Sequence, residues 1–283
     1  LVRNADVSAV LFTGSYDVGH RIQQISADFE DRIVACEMGS KSAVIVCEDA
    51  LLDLAVQAAV VSGFKTSGQR CVSASRILVH ENLIEPFCKK FVAMVKTIQI
   101  GNPLDQKNFT GPVIHEDSVK KILKYNDLAK QEGAEILVEG GQMTEGEHGK
   151  GCFMSPFVYR IKPQPDTRCV REEVFGPHVA LIPFRDNEEA VQIYNDQPYG
   201  LSMAVITESY RNMRWFRDEC EYGMGYVNLP GIGAEVHLPF GGVKRSGNGH
   251  PSAAGLIETV THKTAWTVNH GTEIKMAQGM SVS

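Results

Sequence analysis

The sequence predicts an α/β fold on a mostly parallel sheet, from three observations. Short β-branched runs alternate with longer stretches of helical period. Most of those helical stretches run roughly 10–15 residues, the length of a crossover between parallel strands. Apolar residues make up 43% of the 283, enough for a sizeable core.

In chain order, strands are expected at Val7–Phe12, Ile33–Cys36, Ala43–Cys47, Arg76–Val79, Ile136–Val138, Val158–Ile161, Val179–Pro183 and Met203–Ile206. Helices are expected at His20–Phe29, Leu52–Phe64, Pro86–Ile98, Asp117–Gln131, Glu188–Asn195 and Tyr210–Cys220. Pro86 suits a first helical turn, where its missing N–H costs nothing. Gly101 and Gly133 fall past helix ends, where a left-handed cap is wanted. From Cys220 the texture changes: eight glycines between Gly223 and Gly249 read as looping backbone. A short helix at Ala253–Glu258, a β-prone stretch at Thr264–Val268 and a fraying polar end at Thr272–Ser283 complete the expectation.

Composition narrows the function. With 28 basic against 34 acidic side chains the net charge is -6, which excludes a dedicated nucleic-acid binder and a disordered tail. No apolar run approaches the ~20 residues of a membrane span. The seven cysteines are odd in number, scattered and free of Cys-x-x-Cys pairs, so a reducing, cytoplasmic setting is expected. The nine histidines suggest no metal site. The chain enters a core strand within a few residues of Leu1-Val2-Arg3-Asn4, and is expected to be a piece of a longer protein.

Five segments carry candidate chemistry. Gly14-Ser15-Tyr16-Asp17-Val18-Gly19 joins a strand to a helix; such a turn either binds an anion through free N–H groups or is an ordinary connection. Cys71, in Ser67-Gly68-Gln69-Arg70-Cys71, has polar and glycine neighbours; it is either a reactive thiolate or a small buried residue. Glu37, in Cys36-Glu37-Met38-Gly39-Ser40-Lys41, stands at a strand tip, as a ligand-facing carboxylate or a surface ion pair with Lys41. Glu172-Glu173-Val174-Phe175-Gly176-Pro177 joins acids to an aromatic and a rigid turn. Pro239-Phe240-Gly241-Gly242-Val243-Lys244-Arg245-Ser246-Gly247 is too rich in glycine to be selected for packing.

In this order and spacing, with Glu37 23 residues after Gly14 and Cys71 34 residues after Glu37, the motifs resemble the aldehyde dehydrogenase superfamily. The resemblance covers about Leu11 to Val268, the C-terminal, catalytic-domain portion. It implies a remnant of a Rossmann-like dinucleotide domain at 1–38, a catalytic domain at 39–246, and a returning segment with an oligomerisation strand at 247–283. Cys71 matches the nucleophile that attacks the aldehyde carbon, Glu37 the base that activates water against the thioester, and the Cys71 N–H part of the oxyanion site. NAD or NADP is the implied cofactor. Gly14, Ser15 and Gly19 match its pyrophosphate turn, Met38 its amide contact, Glu173 its nicotinamide-ribose ligand and Phe175 the ring packed nearby. Arg70, with Gly233 and Ala234, is similar to branches that oxidise carboxylate-bearing semialdehydes such as α-aminoadipic or α-ketoglutaric semialdehyde. Alternatively Arg70 is structural. The implied partner is a small aldehyde, with no nucleic acid or membrane, and the longer parent is a homo-dimer or homo-tetramer.

Two departures stand out. The family's second glycine after Glu-x-Gly is Ser40 here, which predicts a tighter backbone near the base. The Arg-Glu that often follows Ser-Gly-x-Gly is His250-Pro251, leaving a proton relay through that glutamate without its residue. The asparagine that completes the oxyanion site and most cofactor contacts belong to the family's first half, so this chain alone is expected to be inactive. Two other readings stay open: an acylating enzyme that passes the thioester to coenzyme A, from which the presence of Glu37 detracts, and a silent truncated homologue that acts by binding.

Overall fold

A computed structural model of the protein describes residues 1–274, 278 and 279. The chain begins with β1 (Ala9–Thr13), α1 (Tyr16–Ser26) and β2 (Ile33–Glu37), then crosses into β3 (Ala43–Val46), α2 (Leu52–Phe64), β4 (Arg76–His80) and α3 (Ile84–Val95). Next come α4 (Glu116–Gln131), β5 (Glu135–Val138), β6 (Phe157–Arg160), α5 (Arg168–Arg171), β7 (His178–Phe184) and α6 (Asn187–Asn195). β8 (Tyr199–Gly200), β9 (Ser202–Ile206), α7 (Tyr210–Glu219) and β10 (Met224–Val227) follow. The short pieces β11 (Pro239–Phe240), β12 (Val243–Lys244), β13 (Gly247–Asn248), β14 (Ser252–Ala253) and α8 (Leu256–Val260) end the regular structure.

The larger sheet has seven strands in the order β10-β9-β3-β4-β7-β6-β5. Every neighbouring pair is parallel except β5 with β6. Parallel strands are covered on both faces, so they read as continuous apolar runs. Val44, Val46, Ile77, Val79, Val179 and Leu181 face one layer, formed by α2 and α3. Ala43, Ile45, Leu78, Ala180 and Ile182 face the other, with Ala190 and Tyr194 of α6 and Phe216 of α7. α2 is apolar nearly all round and accordingly buried. α3 presents Phe87 and Phe91, one turn apart, with ring centroids 5.5 Å apart, and Phe91 also meets Phe64 of α2 at 6.1 Å.

The smaller sheet, in the order β1-β2-β13, is parallel between β1 and β2 and antiparallel between β2 and β13. Its third strand comes from far along the chain, so the glycine-rich segment closes onto the first 38 residues.

All eight expected strands form, and several other expectations are corrected. The first helix starts at Tyr16, not His20, because the turn at Gly14-Ser15 leads straight into it. α3 spans Ile84–Val95, earlier than Pro86–Ile98, and keeps Pro86 in its first turn. Gly133 has the left-handed backbone of a cap (φ +83), whereas Gly101 lies beyond the helix and donates its N–H to the Thr110 carbonyl at 3.2 Å. The segment from Gly223 is not all loop: β10 pairs with β9. Its glycines permit backbone contact, since a Cβ on Gly223 would lie 1.7 Å from the Gly241 carbonyl oxygen. Ser252–Ala253 pairs with β11, which displaces the expected helix at Ala253–Glu258 to Leu256–Val260. Thr264–Val268 forms no strand, because no partner edge reaches it. Of the expected fraying end, residues 275–277 and 280–283 lie outside the described residues.

Candidate active site

The carboxyl ends of β1 and β2 face the amino ends of β3, β4 and β7, and residues 38–42 cross between the two sheets. Four hydrogen bonds hold this crossing in place. Gly14 N–H donates to the Glu37 carbonyl at 3.0 Å, and Met38 N–H to the Ser246 carbonyl at 2.7 Å. The buried Ser246 hydroxyl donates to the Gly39 carbonyl at 2.9 Å and accepts from Gly200 N–H at 3.0 Å. Asn248 adds a side-chain clamp on β2, accepting from Cys36 N–H at 3.0 Å and donating to the Val34 carbonyl at 2.8 Å.

Glu37 is therefore enclosed, only 4% exposed. Among the described residues its Oε1 has no hydrogen-bond partner, and burial pushes its carboxyl up to about 8. The alternative of a surface ion pair with Lys41 is overturned. Lys41 is buried and points elsewhere, donating to the Cys169 carbonyl at 3.0 Å and the Glu172 carbonyl at 2.7 Å. A Cβ on Gly241 would meet both the His250 ring, at 2.4 Å, and Glu37 Oε1, at 2.9 Å. The exposed imidazole and the buried carboxyl thus flank one glycine.

Cys71 is delivered by a strained loop. Beyond α2, Thr66, Ser67 and Gly68 all take left-handed backbone (φ 56, 54 and 64), which is costly for a β-branched threonine. Thr110 offsets that cost: its hydroxyl takes a hydrogen bond from Ser67 N–H at 2.6 Å and meets the Ser67 hydroxyl at 2.9 Å. Gly68 must be glycine, because a Cβ there would lie 2.4 Å from the Gly176 carbonyl oxygen. Gln69 donates to the Phe175 carbonyl at 3.1 Å and accepts from Ile114 N–H at 2.9 Å. The loop is thereby fastened to the Glu173–Gly176 turn, and Cys71 emerges as a half-buried free thiol. Burial pushes that thiol up, and the charges of Glu37 and Glu173 push the same way, so both carboxyls lie within electrostatic reach of the sulfur. The backbone amides of Val72 and Cys71 act in the opposite direction and favour the thiolate.

Glu173 accepts the Ser40 N–H at 2.7 Å and occupies the space a Gly39 Cβ would need, 2.5 Å away. Burial raises its carboxyl against the opposing pull of the Ser40 amide, Lys121 and Lys41. Phe175, at φ +60, is 39% exposed. Met38 turns its thioether onto α1, where a Cβ on Gly19 would lie 2.4 Å from the sulfur. Ser15 precedes α1 without capping it through its side chain, and Gly14 and Ser15 are exposed. The first-turn N–H groups of α1 are thus open to an anion. Together the free turn, the Glu173 carboxylate and the exposed Phe175 ring fit the pyrophosphate and nicotinamide end of a dinucleotide.

Arg70 is exposed; its Nε donates to Thr66 Oγ1 at 3.0 Å, which leaves the outer guanidinium nitrogens for other partners. The Gly233 carbonyl accepts from the Tyr226 hydroxyl, and Ala234 is exposed. Tyr226, bonded to Gly233, also feels the charge of Cys71 and Glu235, so it lies within electrostatic reach of the Cys71 loop. Sequence reasoning missed Tyr226 because Gly223 and Gly225 disguise its strand. It also passed over the clamping roles of Ser246 and Asn248, whose only signal is membership of the glycine-rich motif. Among the described residues, no group of three metal-ligating side chains converges, and no helix is long and apolar enough to cross a membrane.

The family model for the aldehyde dehydrogenase family matches residues 1–265. A 1-pyrroline-5-carboxylate dehydrogenase of Geobacillus thermodenitrificans is 37% identical over 276 residues, 95% of this chain and 52% of the relative. An alpha-ketoglutaric semialdehyde dehydrogenase of Bacillus subtilis is 36% identical over 246 residues, 87% of this chain and 50% of the relative. Among solved structures, the 1-pyrroline-5-carboxylate dehydrogenase from Thermus with bound NAD superposes with a TM-score of 0.82 at 32% identity, over 89% of this chain and 49% of that one. The chain spans about half the length of the curated relatives it matches.

Proposed function

The chain belongs to the aldehyde dehydrogenase family, and from that premise we propose that its parent oxidises an aldehyde to the acid through a Cys71 thioester, with Glu37 as general base. The observation that carries this reading is a buried, unpartnered carboxyl within electrostatic reach of a half-buried free thiol. Cys71 Sγ forms a C–S bond to the aldehyde carbon, and the Cys71 N–H meets the oxygen that gains charge. Gly14, Ser15, Gly19, Met38, Glu173 and Phe175 would hold NAD or NADP, which would supply the hydride acceptor that oxidation of this adduct to the thioester requires. Since Met38 N–H is already bonded to Ser246, only its carbonyl is left for the nicotinamide amide. Glu37 then takes a proton from water as the water oxygen attacks the thioester carbon; the C–S bond breaks and the acid leaves. A carboxyl near 8 is matched to that work, because such a group both accepts and returns a proton close to neutral pH.

Residues 1–38 act as the remnant of the dinucleotide domain, 39–246 as the catalytic domain and 247–283 as the returning segment. The exposure of Trp266 and Val268, at 84% and 59%, supports oligomerisation of the parent, as a dimer or tetramer, through this segment. The substrate class is a semialdehyde bearing a carboxylate, for which Arg70, Gly233 and Ala234 are the contacts. The free guanidinium nitrogens of Arg70, one residue from the nucleophile, support this.

The test uses the full-length parent. Cys71→Ala is expected to remove turnover by at least about 10⁴-fold, as loss of an acting nucleophile does. Glu37→Gln is expected to let the acyl group form on Cys71 and stall there, visible by intact mass. Turnover surviving in Cys71→Ala overturns the reading, and acyl-CoA appearing when coenzyme A is supplied favours the acylating alternative. Arg70→Met is expected to raise KM for acidic aldehydes far more than for aliphatic ones; equal changes remove the substrate assignment.

A further inference from the structure

Ser40, which stands where the family's motif has glycine, is buried between the two chemical groups of the site. Its N–H donates to Glu173 at 2.7 Å, while its hydroxyl donates to the carbonyl of Cys71. A hydroxyl has one hydrogen to give, so the contact with the buried Ser42 hydroxyl, at 3.0 Å, runs from Ser42 to Ser40. The result is a directed chain, Ser42 to Ser40 to the Cys71 carbonyl. That carbonyl and the Val72 N–H belong to one peptide group, and the Val72 N–H is among the donors that favour the thiolate. Hydrogen bonds in series polarise one another, so a donor on the oxygen of a peptide strengthens the N–H on its far side. A donor on the oxygen also fixes the tilt of the peptide plane and hence the aim of its N–H.

We propose that Ser40 is a positioning residue for the nucleophile: through its hydroxyl it holds and polarises the Cys71–Val72 peptide so that the Val72 N–H supports the Cys71 thiolate. The inference rests on Cys71 being the nucleophile. The other titratable groups that act on the sulfur are Glu37 and Glu173, whose charges oppose the thiolate, and Tyr226. Ser40 works against the two carboxylates by a route that adds no charge to the site. Glycine at this position gives the backbone N–H to Glu173 but nothing to Cys71. The expectation of a merely tighter backbone is thus replaced by a specific bond.

The experiment is alkylation of the protein by limiting iodoacetamide from pH 6 to 10, with the Cys71 peptide quantified by mass spectrometry. It needs neither cofactor nor turnover. In Ser40→Ala the midpoint for Cys71 is expected to move to higher pH, with a rate at neutral pH lower by about threefold. Ser40→Thr, which keeps the hydroxyl, is expected to retain the parent profile, as a purely volumetric role for Ser40 does not predict. Should Ser40→Ala fail to fold, Ser42→Ala, which removes only the outer donor, is expected to show a smaller shift in the same direction. Superimposable profiles for the parent and the alanine variants overturn the inference and leave Cys71 as nucleophile. A Cys71 no faster to react than the buried cysteines overturns both.

Discussion

The two sheets use strands of similar length and parallel pairing, yet they are buried differently. Every residue of β3 is enclosed, as are all of β4 except His80 and all of β7 except Pro183, while β1 alternates between exposed and half-buried and encloses none. Leu11 and Ile33 remain 45% and 41% exposed. The large sheet is held by apolar layers on both faces. The small one is held by polar stitches from Ser246 and Asn248 to the backbone of β2 and the crossing segment. The two groups proposed to react stand at the junction of these regimes, where packing nearly encloses Glu37 and the loop leaves Cys71 half-buried.

Truncations break or sharpen this contrast. Phe87→Ala, deep in the large-sheet core, is expected to cost about 3–5 kcal/mol in denaturant unfolding. Asn248→Ala removes two bonds to β2 and is expected to cost about 1–3 kcal/mol, with faster hydrogen exchange at Cys36 while β4 and β7 stay protected. Loss of protection throughout the molecule in that variant would show the sheets to unfold as one unit. For Glu37 the folded carboxyl, raised from 4.5 to about 8, binds its proton more tightly than the unfolded one does. Its contribution to stability is whole below about pH 4.5 and is lost as pH rises through about 8. Glu37→Gln, which does not titrate, is expected to gain thermal stability over the parent as pH rises from 5 to 8; a pH-independent gap contradicts the burial. Leu11→Ala on the open face of β1 is expected to change stability by no more than about 0.5 kcal/mol.

Much of this was legible in the chain. The runs at Ala43–Cys47, Ile77–Val79 and Val179–Pro183 are apolar on consecutive positions, as a strand covered on both faces requires. Cys71 and Glu37 stood out by their neighbours and spacing. The sequence distance of Lys41 from Glu37 suits a pair, whereas two backbone carbonyls from α5 and the residue after it claim its ammonium. Tyr226 was hidden because glycine lowers strand propensity, and only pairing with β9 offsets that.

By itself the sequence determined the alternation of elements, the residue types able to carry thioester chemistry, and the family, because periodicity and motif spacing are local properties of the chain. Only the tertiary structure decided that Glu37 is enclosed without a partner, that Ser40 reaches the Cys71 carbonyl, and that the last glycine-rich loop closes on the first strands. Burial and hydrogen bonding depend on what the rest of the chain brings alongside, and those neighbours lie 31 to more than 200 positions away.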